Sequence, residues 1–150
     1  MQIFSTAVFF LYYLGFEQYL NQYIKILTIL LYLLYDVAYT LTTISNPGVI
    51  SFEYYLENYK DDKIKIKNFT ICERCNIVKD KDKGIEHCNI CDICIIGNDH
   101  HCPWTSKCIG KKNLFVFRFF IFSVFLNIIY IGITSIILTI IFNPKLQRKK

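Results

Sequence analysis

Apolar residues gather towards the two ends of the chain, and charged residues gather in its centre. Three apolar runs cover residues 3–16, 24–44 and 114–142, whereas nearly all acidic residues lie within residues 53–99. A helix needs roughly 20 residues to cross a bilayer of about 30 Å, so the second and third runs are long enough. The pattern predicts membrane helices on both sides of a polar insert.

The first run, residues 3–16, is shorter than a membrane span. It has 14 residues, so we expect a short membrane segment, with an interfacial helix or a signal sequence as the alternatives. A signal peptide fits poorly because no basic residue precedes Lys25 and no small-residue cleavage site follows.

The second and third runs predict one helix each. The second carries one acid, Asp36, which we expect to face protein, either as a hydrogen-bonding group or in a functional role. Asn46-Pro47-Gly48 ends this helix, because Pro lacks the N–H group and Gly tolerates a turn. The third run has 29 residues and predicts a single tilted span.

The polar centre offers little apolar surface for a core. Residues 53–83 are highly charged and predict a solvated loop, in which Ile64 and Ile66 alternate with lysines as in a short strand. No internal repeat is evident. Folding of this centre therefore needs a further source of free energy, which metal binding can supply.

Charge adds little to this picture. The chain of 150 residues has a net charge of +5, and four of its basic residues lie within the last six positions. No broad basic surface is predicted, which argues against nucleic acid as a partner.

Cysteine and histidine are confined to one window. All seven cysteines and three histidines fall between residues 72 and 108. An odd number of thiols interleaved with histidine favours metal binding in a reducing compartment over a disulfide framework. Two closed tetrahedral zinc sites use eight ligands, so two of the ten donors are left over.

Strand alternation indicates how the donors divide. Adjacent residues of an extended chain point to opposite sides, so we expect His87 and Cys88 to serve different metals in interleaved sites. By the same alternation His100 and Cys102 share one face, while His101 lies on the other. His100 and Cys102 are therefore the expected leftover pair.

A leftover cysteine beside a leftover histidine allows two interpretations. The thiolate of Cys102 can act as a nucleophile, with His100 accepting its proton and Asp99 orienting the imidazole. Alternatively, Cys102 and His100 are spare zinc ligands. The spacing alone does not separate these interpretations.

The motif Asp99-His100-His101-Cys102-Pro103-Trp104 resembles the cysteine-rich domain of the DHHC palmitoyltransferases. The resemblance extends to the Cys and His spacing before it and to Cys108-x-Gly110-x2-Asn113-x3-Phe117 after it. Asn46-Pro47-Gly48 resembles the family's Asp-Pro-Gly. The family's asparagine before the last cysteine is replaced by Lys107, and eleven residues between Cys75 and His87 imply a looser first zinc finger.

The resemblance implies a fold class and a domain order. It implies an α-helical integral membrane protein with a cytosolic zinc-binding cysteine-rich domain of short strands and loops between transmembrane helices. The domains are two N-terminal membrane segments (1–44), a cytosolic loop (45–113, zinc-domain core 72–113), a transmembrane helix (114–142) and a basic tail (143–150). The family has a fourth helix and a Thr-Thr-x-Glu motif that these residues do not match, so we expect the sequence to be a fragment or to be impaired.

The resemblance also implies the site residues. It implies one structural zinc on Cys72, Cys75, His87 and Cys94, and another on Cys88, Cys91, His101 and Cys108. It makes Cys102, His100 and Asp99 catalytic.

The implied activity is transfer of a palmitoyl group from palmitoyl-CoA to cysteine thiols of membrane-associated substrate proteins, through a thioester at Cys102. The implied location is an endomembrane or the plasma membrane, where the protein would contact membrane lipid. The alternative is a catalytically impaired or truncated, membrane-tethered zinc module that acts in binding; a RING-like ubiquitin ligase fits less well because its ligand order differs.

Overall fold

The computed structural model describes residues 2–16, 21–51 and 69–142. Within these ranges the chain forms three helices, with six short strands between the second and the third. The helices are α1 (Gln2–Phe16), α2 (Gln22–Ile44) and α3 (Leu114–Phe142). The strands are β1 (Phe69–Cys72), β2 (Ile77–Asp80), β3 (Ile85–Cys88), β4 (Ile93–Ile96), β5 (His100–Cys102) and β6 (Lys107–Ile109). The strand predicted around Ile64 and Ile66 lies outside the described residues.

Two of the helices are long and apolar enough to cross a membrane, judged by length and composition. They are α2, with a mean hydropathy of 1.6, and α3, with 2.4. The prediction of two long apolar helices flanking a Cys- and His-rich region of short strands is confirmed. Helix α1 has 15 residues, or roughly 22 Å at about 1.5 Å per residue, which is less than the thickness of the bilayer core.

The helical unit comprises the described residues within 2–38 and residues 119–142. Its helices are joined by polar as well as apolar contacts. The Asn127 amide donates a hydrogen bond to the Leu31 carbonyl at 3.1 Å, and the rings of Phe9 and Tyr32 stack with centroids 4.0 Å apart. Asp36 is half-buried here. Hydrogen bonds between helices, such as that from Asn127 to Leu31, satisfy polar groups that lipid cannot.

The second unit, residues 39–118, is called the hairpin unit. Its described residues form three antiparallel hairpins of similar build. They are β1–β2, β3–β4 and β5–β6. Each turn ends in a residue with left-handed backbone: Asn76 (φ 54°), Asp92 (φ 55°) and Ser106 (φ 50°). Asn and Asp tolerate this region better than most residues. The chain therefore contains a structural repeat that the sequence pattern did not reveal.

The first hairpin corrects the expectation of a solvated loop over residues 53–83. Residues 69–80 form paired strands, and Asp80 is buried. The Asp80 carboxylate accepts a hydrogen bond from the Asp82 backbone N–H at 3.0 Å and so caps the following turn. The loop prediction was wrong here. Ile77 and Val78 are buried in a short strand, but the charged residues beside them made the segment resemble a solvated loop.

The segment after α2 docks on the second hairpin. Asn46 Oδ1 accepts hydrogen bonds from the N–H groups of Gly48 and Val49 at 2.8 and 3.0 Å. The Gly48 carbonyl then accepts a hydrogen bond from Ile96, and the Ile50 N–H donates to the Cys94 carbonyl. An amide oxygen accepts these bonds as a carboxylate oxygen would, so either Asn or Asp at position 46 can form this turn.

Gly110 and Asn113 fix the end of the third hairpin. A Cβ atom on Gly110 would lie 2.5 Å from the Pro47 carbonyl oxygen and 2.7 Å from Ile95 Cγ2. The fully buried Asn113 accepts a hydrogen bond from the Gly110 N–H at 2.8 Å and donates one to the Cys108 carbonyl at 3.1 Å. The start of α3 is thus joined to the last hairpin.

The close approach at Gly110 gives a prediction for stability. Gly110→Ala should lower the free energy of unfolding of the hairpin unit by about 1–3 kcal/mol, because the added methyl group meets a backbone oxygen that cannot move freely. Thermal unfolding followed by the fluorescence of Trp104, the single tryptophan of the chain, measures the change.

Gly132→Ala in α3 is the matched control, because a Cβ atom there meets nothing within 4 Å and alanine favours helix over glycine. It should leave the Trp104 transition unchanged. Equal stability of the two variants would contradict the packing described for Gly110.

Candidate functional site

Among its described residues the hairpin unit contains two small cores, and cysteines form a large part of both. The first contains Cys72 and Cys94 among Ile50, Ile77 and Ile85. The second contains Cys88 and Cys108 around the fully buried Ile95. Burial of so few apolar side chains supplies little stability at about 25 cal/mol per Å².

The first cluster brings together Cys72, Cys75, His87 and Cys94, whose ligand atoms all lie within 4.8 Å of one another. The Nδ1 atom of His87 is 3.5 Å from the sulfur of Cys72, 3.3 Å from that of Cys75 and 3.8 Å from that of Cys94.

The second cluster brings together Cys88, Cys91, His101 and Cys108 within the same limit. Here Nδ1 of His101 is 3.9, 3.3 and 3.6 Å from the sulfurs of Cys88, Cys91 and Cys108. The sulfurs of Cys91 and Cys108 are 3.3 Å apart.

Both clusters have the dimensions of a tetrahedral zinc site. Zinc–sulfur bonds of about 2.3 Å and zinc–nitrogen bonds of about 2.0–2.1 Å place nitrogen roughly 3.6 Å and a second sulfur roughly 3.8 Å from each sulfur. The nitrogen–sulfur distances in the two clusters scatter around that value. Three cysteines and one histidine are also a donor set typical of structural zinc.

The electrostatics of the two clusters favour a cation. Burial and the neighbouring Cys75 and Cys72 thiols raise the pKa of Cys94. Burial also opposes ionisation of Cys72, but hydrogen bonds from backbone N–H groups of the turn and from neighbouring thiols together lower the pKa of that thiol. The second cluster repeats this contrast, since the pKa of Cys108 is raised and that of Cys88 is lowered. A dication would allow all three thiols of a cluster to ionise together.

The clusters are staggered along the chain. The first takes two thiols from the turn of the first hairpin, and His87 with Cys94 from directly opposed positions of the second. The second takes two thiols from the turn of the second hairpin, and His101 with Cys108 from opposed positions of the third. Each cluster therefore joins the turn of one hairpin to the strands of the next.

Cys102 occupies the corresponding position in the third turn. It opens that turn as Cys72 and Cys88 open theirs, but Thr105 stands where the second cysteine of the other turns lies. Cys102 is buried, with 3% of its surface exposed. It is not part of either cluster.

Asp99 and His100 are adjacent residues that precede the third turn in the chain. Nδ1 of His100 is 3.0 Å from a carboxylate oxygen of Asp99, and its ring and that of Phe117 form a T-shaped pair with centroids 5.2 Å apart. His100 and Cys102 are two residues apart on β5 and so share a strand face. In the described part of the chain, no hydrogen bond joins the Cys102 sulfur to His100.

The sequence analysis missed the contacts of two polar residues at the site. Asp92 ends the second turn and contacts His87, with 3.3 Å between its carboxylate and Nε2; its place after a Cys-x2-Cys pair is the available signal. Lys107 was noted as a departure from the family pattern, but its contact was not predicted. Its ammonium group donates to the Thr43 carbonyl at 2.6 Å, near the end of α2 where a positive charge is favourable.

Known palmitoyltransferases are similar to parts of this chain. Palmitoyltransferase ZDHHC9 from Homo sapiens is 39% identical over 82 residues, which cover 49% of this chain and 22% of that protein. Palmitoyltransferase ZDHHC5 from Homo sapiens is 27% identical over 131 residues, which cover 79% of this chain and 18% of that protein. The chain thus spans about a fifth of the length of these curated relatives.

The sequence model of the DHHC palmitoyltransferase family matches residues 65–150. The match includes all three hairpins and the whole of α3, and it covers more than half of the chain. The chain therefore belongs to the DHHC palmitoyltransferase family.

Proposed function

We propose that this protein transfers a long-chain acyl group, palmitoyl, from acyl-CoA to cysteine thiols of membrane-associated substrate proteins, through an acyl thioester at Cys102. The observation that carries the proposal is the position of Cys102. It opens a turn built like those of the two Cys3His clusters, but it lies outside both clusters. A thiol that binds no metal can act as a nucleophile.

In the first step the Cys102 thiolate attacks the thioester carbonyl of acyl-CoA. A carbon–sulfur bond forms to Cys102, the bond to CoA sulfur breaks, and CoA leaves as its thiol. His100 takes the proton from Cys102 and returns it to the departing sulfur. Asp99 accepts a hydrogen bond from Nδ1 of His100, which leaves the other ring nitrogen available for this exchange.

In the second step the thiol of a substrate cysteine attacks the same carbonyl. The new thioester forms on the substrate and the bond from the acyl carbon to the Cys102 sulfur breaks. His100 takes the proton of the substrate thiol and gives it to Cys102. One thioester replaces another in each step, so the overall driving force is small and catalysis depends on positioning the reacting groups. With twelve residues between Cys102 and Phe115, the nucleophile is close in sequence to α3, where an acyl chain can remain in hydrocarbon.

Two structural zinc ions would hold the three hairpins together. The first would bind the cluster of Cys72, Cys75, His87 and Cys94, and the second that of Cys88, Cys91, His101 and Cys108. The zinc ions supply folding free energy. Neither takes part in the transfer.

A membrane-tethered zinc module without catalysis is the second candidate function. The burial of Cys102 favours it, since acyl-CoA has to reach the sulfur. The thioester measurement below separates the two candidates.

Metal analysis tests the zinc assignment. The purified protein should contain two zinc ions per chain, and Cys102→Ser should retain both. Cys91→Ser should lose zinc and unfold the hairpins, because structural zinc supplies on the order of 10 kcal/mol. One zinc ion in folded wild-type protein would contradict the assignment.

Acyl labelling tests the nucleophile. Wild-type protein should take a hydroxylamine-sensitive label from palmitoyl-CoA, and Cys102→Ser should take none while it keeps both zinc ions. His100→Ala should label more slowly by a factor of about 10²–10⁴, the usual contribution of general acid–base catalysis. Asp99→Ala should be slowed less, because it acts through His100.

Labelling that persists in Cys102→Ser would overturn the assignment of the nucleophile. If the chain, carried in a protein that includes the family's fourth helix, formed no thioester at Cys102, the second candidate function would be favoured.

The proposed chemistry also requires an orientation in the membrane. Residues 72–108 should face the cytosol, where thiols stay reduced and acyl-CoA is available. In sealed microsomes, a protease site inserted within residues 52–68 should be cleaved, whereas a tag after Lys150 should be protected. Protection would show that the tail lies in the lumen, and digestion of the tag would contradict this orientation. The basic residues of the tail favour a cytosolic tail and therefore digestion.

A further inference from the structure

The backbone of Asp92 is part of the turn that carries two thiols of the second cluster. It ends the turn that carries Cys88 and Cys91, and its N–H donates a hydrogen bond to the Cys88 carbonyl at 2.8 Å. Its left-handed conformation, with φ 55°, closes that turn. The position of Asp92 is therefore set by the turn that holds two thiols of the second cluster.

The side chain of Asp92 lies against the first cluster. One carboxylate oxygen is 3.3 Å from Nε2 of His87, whose Nδ1 faces the three thiols of that cluster. The Asp92 backbone oxygen is 3.9 Å from the sulfur of Cys75. Asp92 thus contacts two members of a cluster to which it contributes no ligand.

Nε2 of His87 needs an acceptor. It is buried and, among the residues that the structure describes, has no hydrogen-bond partner, because the Asp92 carboxylate is near it but not aligned with it. A neutral imidazole that binds metal through Nδ1 carries its proton on Nε2. That buried N–H group would be costly without an acceptor, and the Asp92 carboxylate is within reach after a small rotation.

Arg74 holds the carboxylate in this place. Its guanidinium donates to the same Asp92 oxygen at 3.1 Å, and it lies in the turn between Cys72 and Cys75. Both side chains are about two-thirds exposed, so the ion pair itself adds little stability. Its effect is to keep an acceptor beside the imidazole.

We propose that Asp92 is a positioning residue that orients His87 for metal in the first cluster, and that it makes metal retention there depend on the turn of the second. This inference rests on the proposed zinc sites. Carboxylates that accept a hydrogen bond from a metal-binding histidine typically change metal affinity by about 10–100-fold.

Thiol protection measured cysteine by cysteine tests the proposal. Full-length, zinc-loaded protein in detergent is treated with rising EDTA, alkylated with iodoacetamide and analysed by mass spectrometry. In Asp92→Ala, Cys72, Cys75 and Cys94 should become reactive at an EDTA concentration roughly 10–100-fold lower than in wild type. The thiols of the second cluster should shift less.

Two further variants separate the carboxylate from the backbone. Asp92→Asn tolerates the left-handed turn and keeps a weaker acceptor, so its shift should lie between those of wild type and Asp92→Ala. Asn76→Ala is the matched control. Asn76 ends the first turn with φ 54° and donates to the Cys72 carbonyl at 2.8 Å, so this change affects the turn of the first cluster without the carboxylate. It should shift Cys72, Cys75 and Cys94 less than Asp92→Ala does.

The proposal is overturned if Asp92→Ala exposes Cys88, Cys91 and Cys108 as early as the first set, since Asp92 would then only shape its own turn. It is also overturned if Asn76→Ala matches Asp92→Ala, or if Asp92→Asn is as labile as Asp92→Ala. If wild-type thiols react equally with and without EDTA, the zinc sites themselves fail, and that result is distinct from the others.

Discussion

The arrangement of the hairpin unit depends on one constraint: neighbouring residues of a strand face opposite sides. His87 and Cys88 are adjacent on β3, and the first belongs to one Cys3His cluster while the second belongs to the other. Because each cluster joins the turn of one hairpin to the strands of the next, a metal ion would hold two hairpins at once. Three hairpins with little apolar core can then form one folded unit.

The stagger of the hairpins accounts for the thiol outside the clusters. A staggered series of three hairpins has three turns, and the last has no following hairpin to supply a histidine and a cysteine. Cys102 opens that last turn, and Thr105 replaces its second cysteine. The side of β5 opposite His101 carries Cys102 and His100, with Asp99 held at Nδ1 of that imidazole. In our proposal, the first two turns each carry two metal ligands, and the third carries the nucleophile.

Much of this could be predicted from the sequence because it depends on local patterns. Hydropathy predicted α2 and α3, and strand alternation predicted that His87 and Cys88 would separate. The rest depends on contacts between distant segments: the burial of Asp80, the clash that any side chain on Gly110 would make with Pro47, and the approach of Asp92 to His87. The local sequence does not distinguish Asp80, Gly110 and Asp92 from the solvated residues beside them.

X-ray absorption at the zinc edge tests the central claim most directly, because it counts the sulfur ligands of each metal. If Cys102 lies outside both sites, the average zinc ion has three sulfurs at about 2.3 Å and one nitrogen at about 2.0–2.1 Å. The spectrum of Cys102→Ser should then be the same. If all seven cysteines bound two zinc ions, the average would be about 3.5 sulfurs and would fall to three in Cys102→Ser; that result would contradict the account.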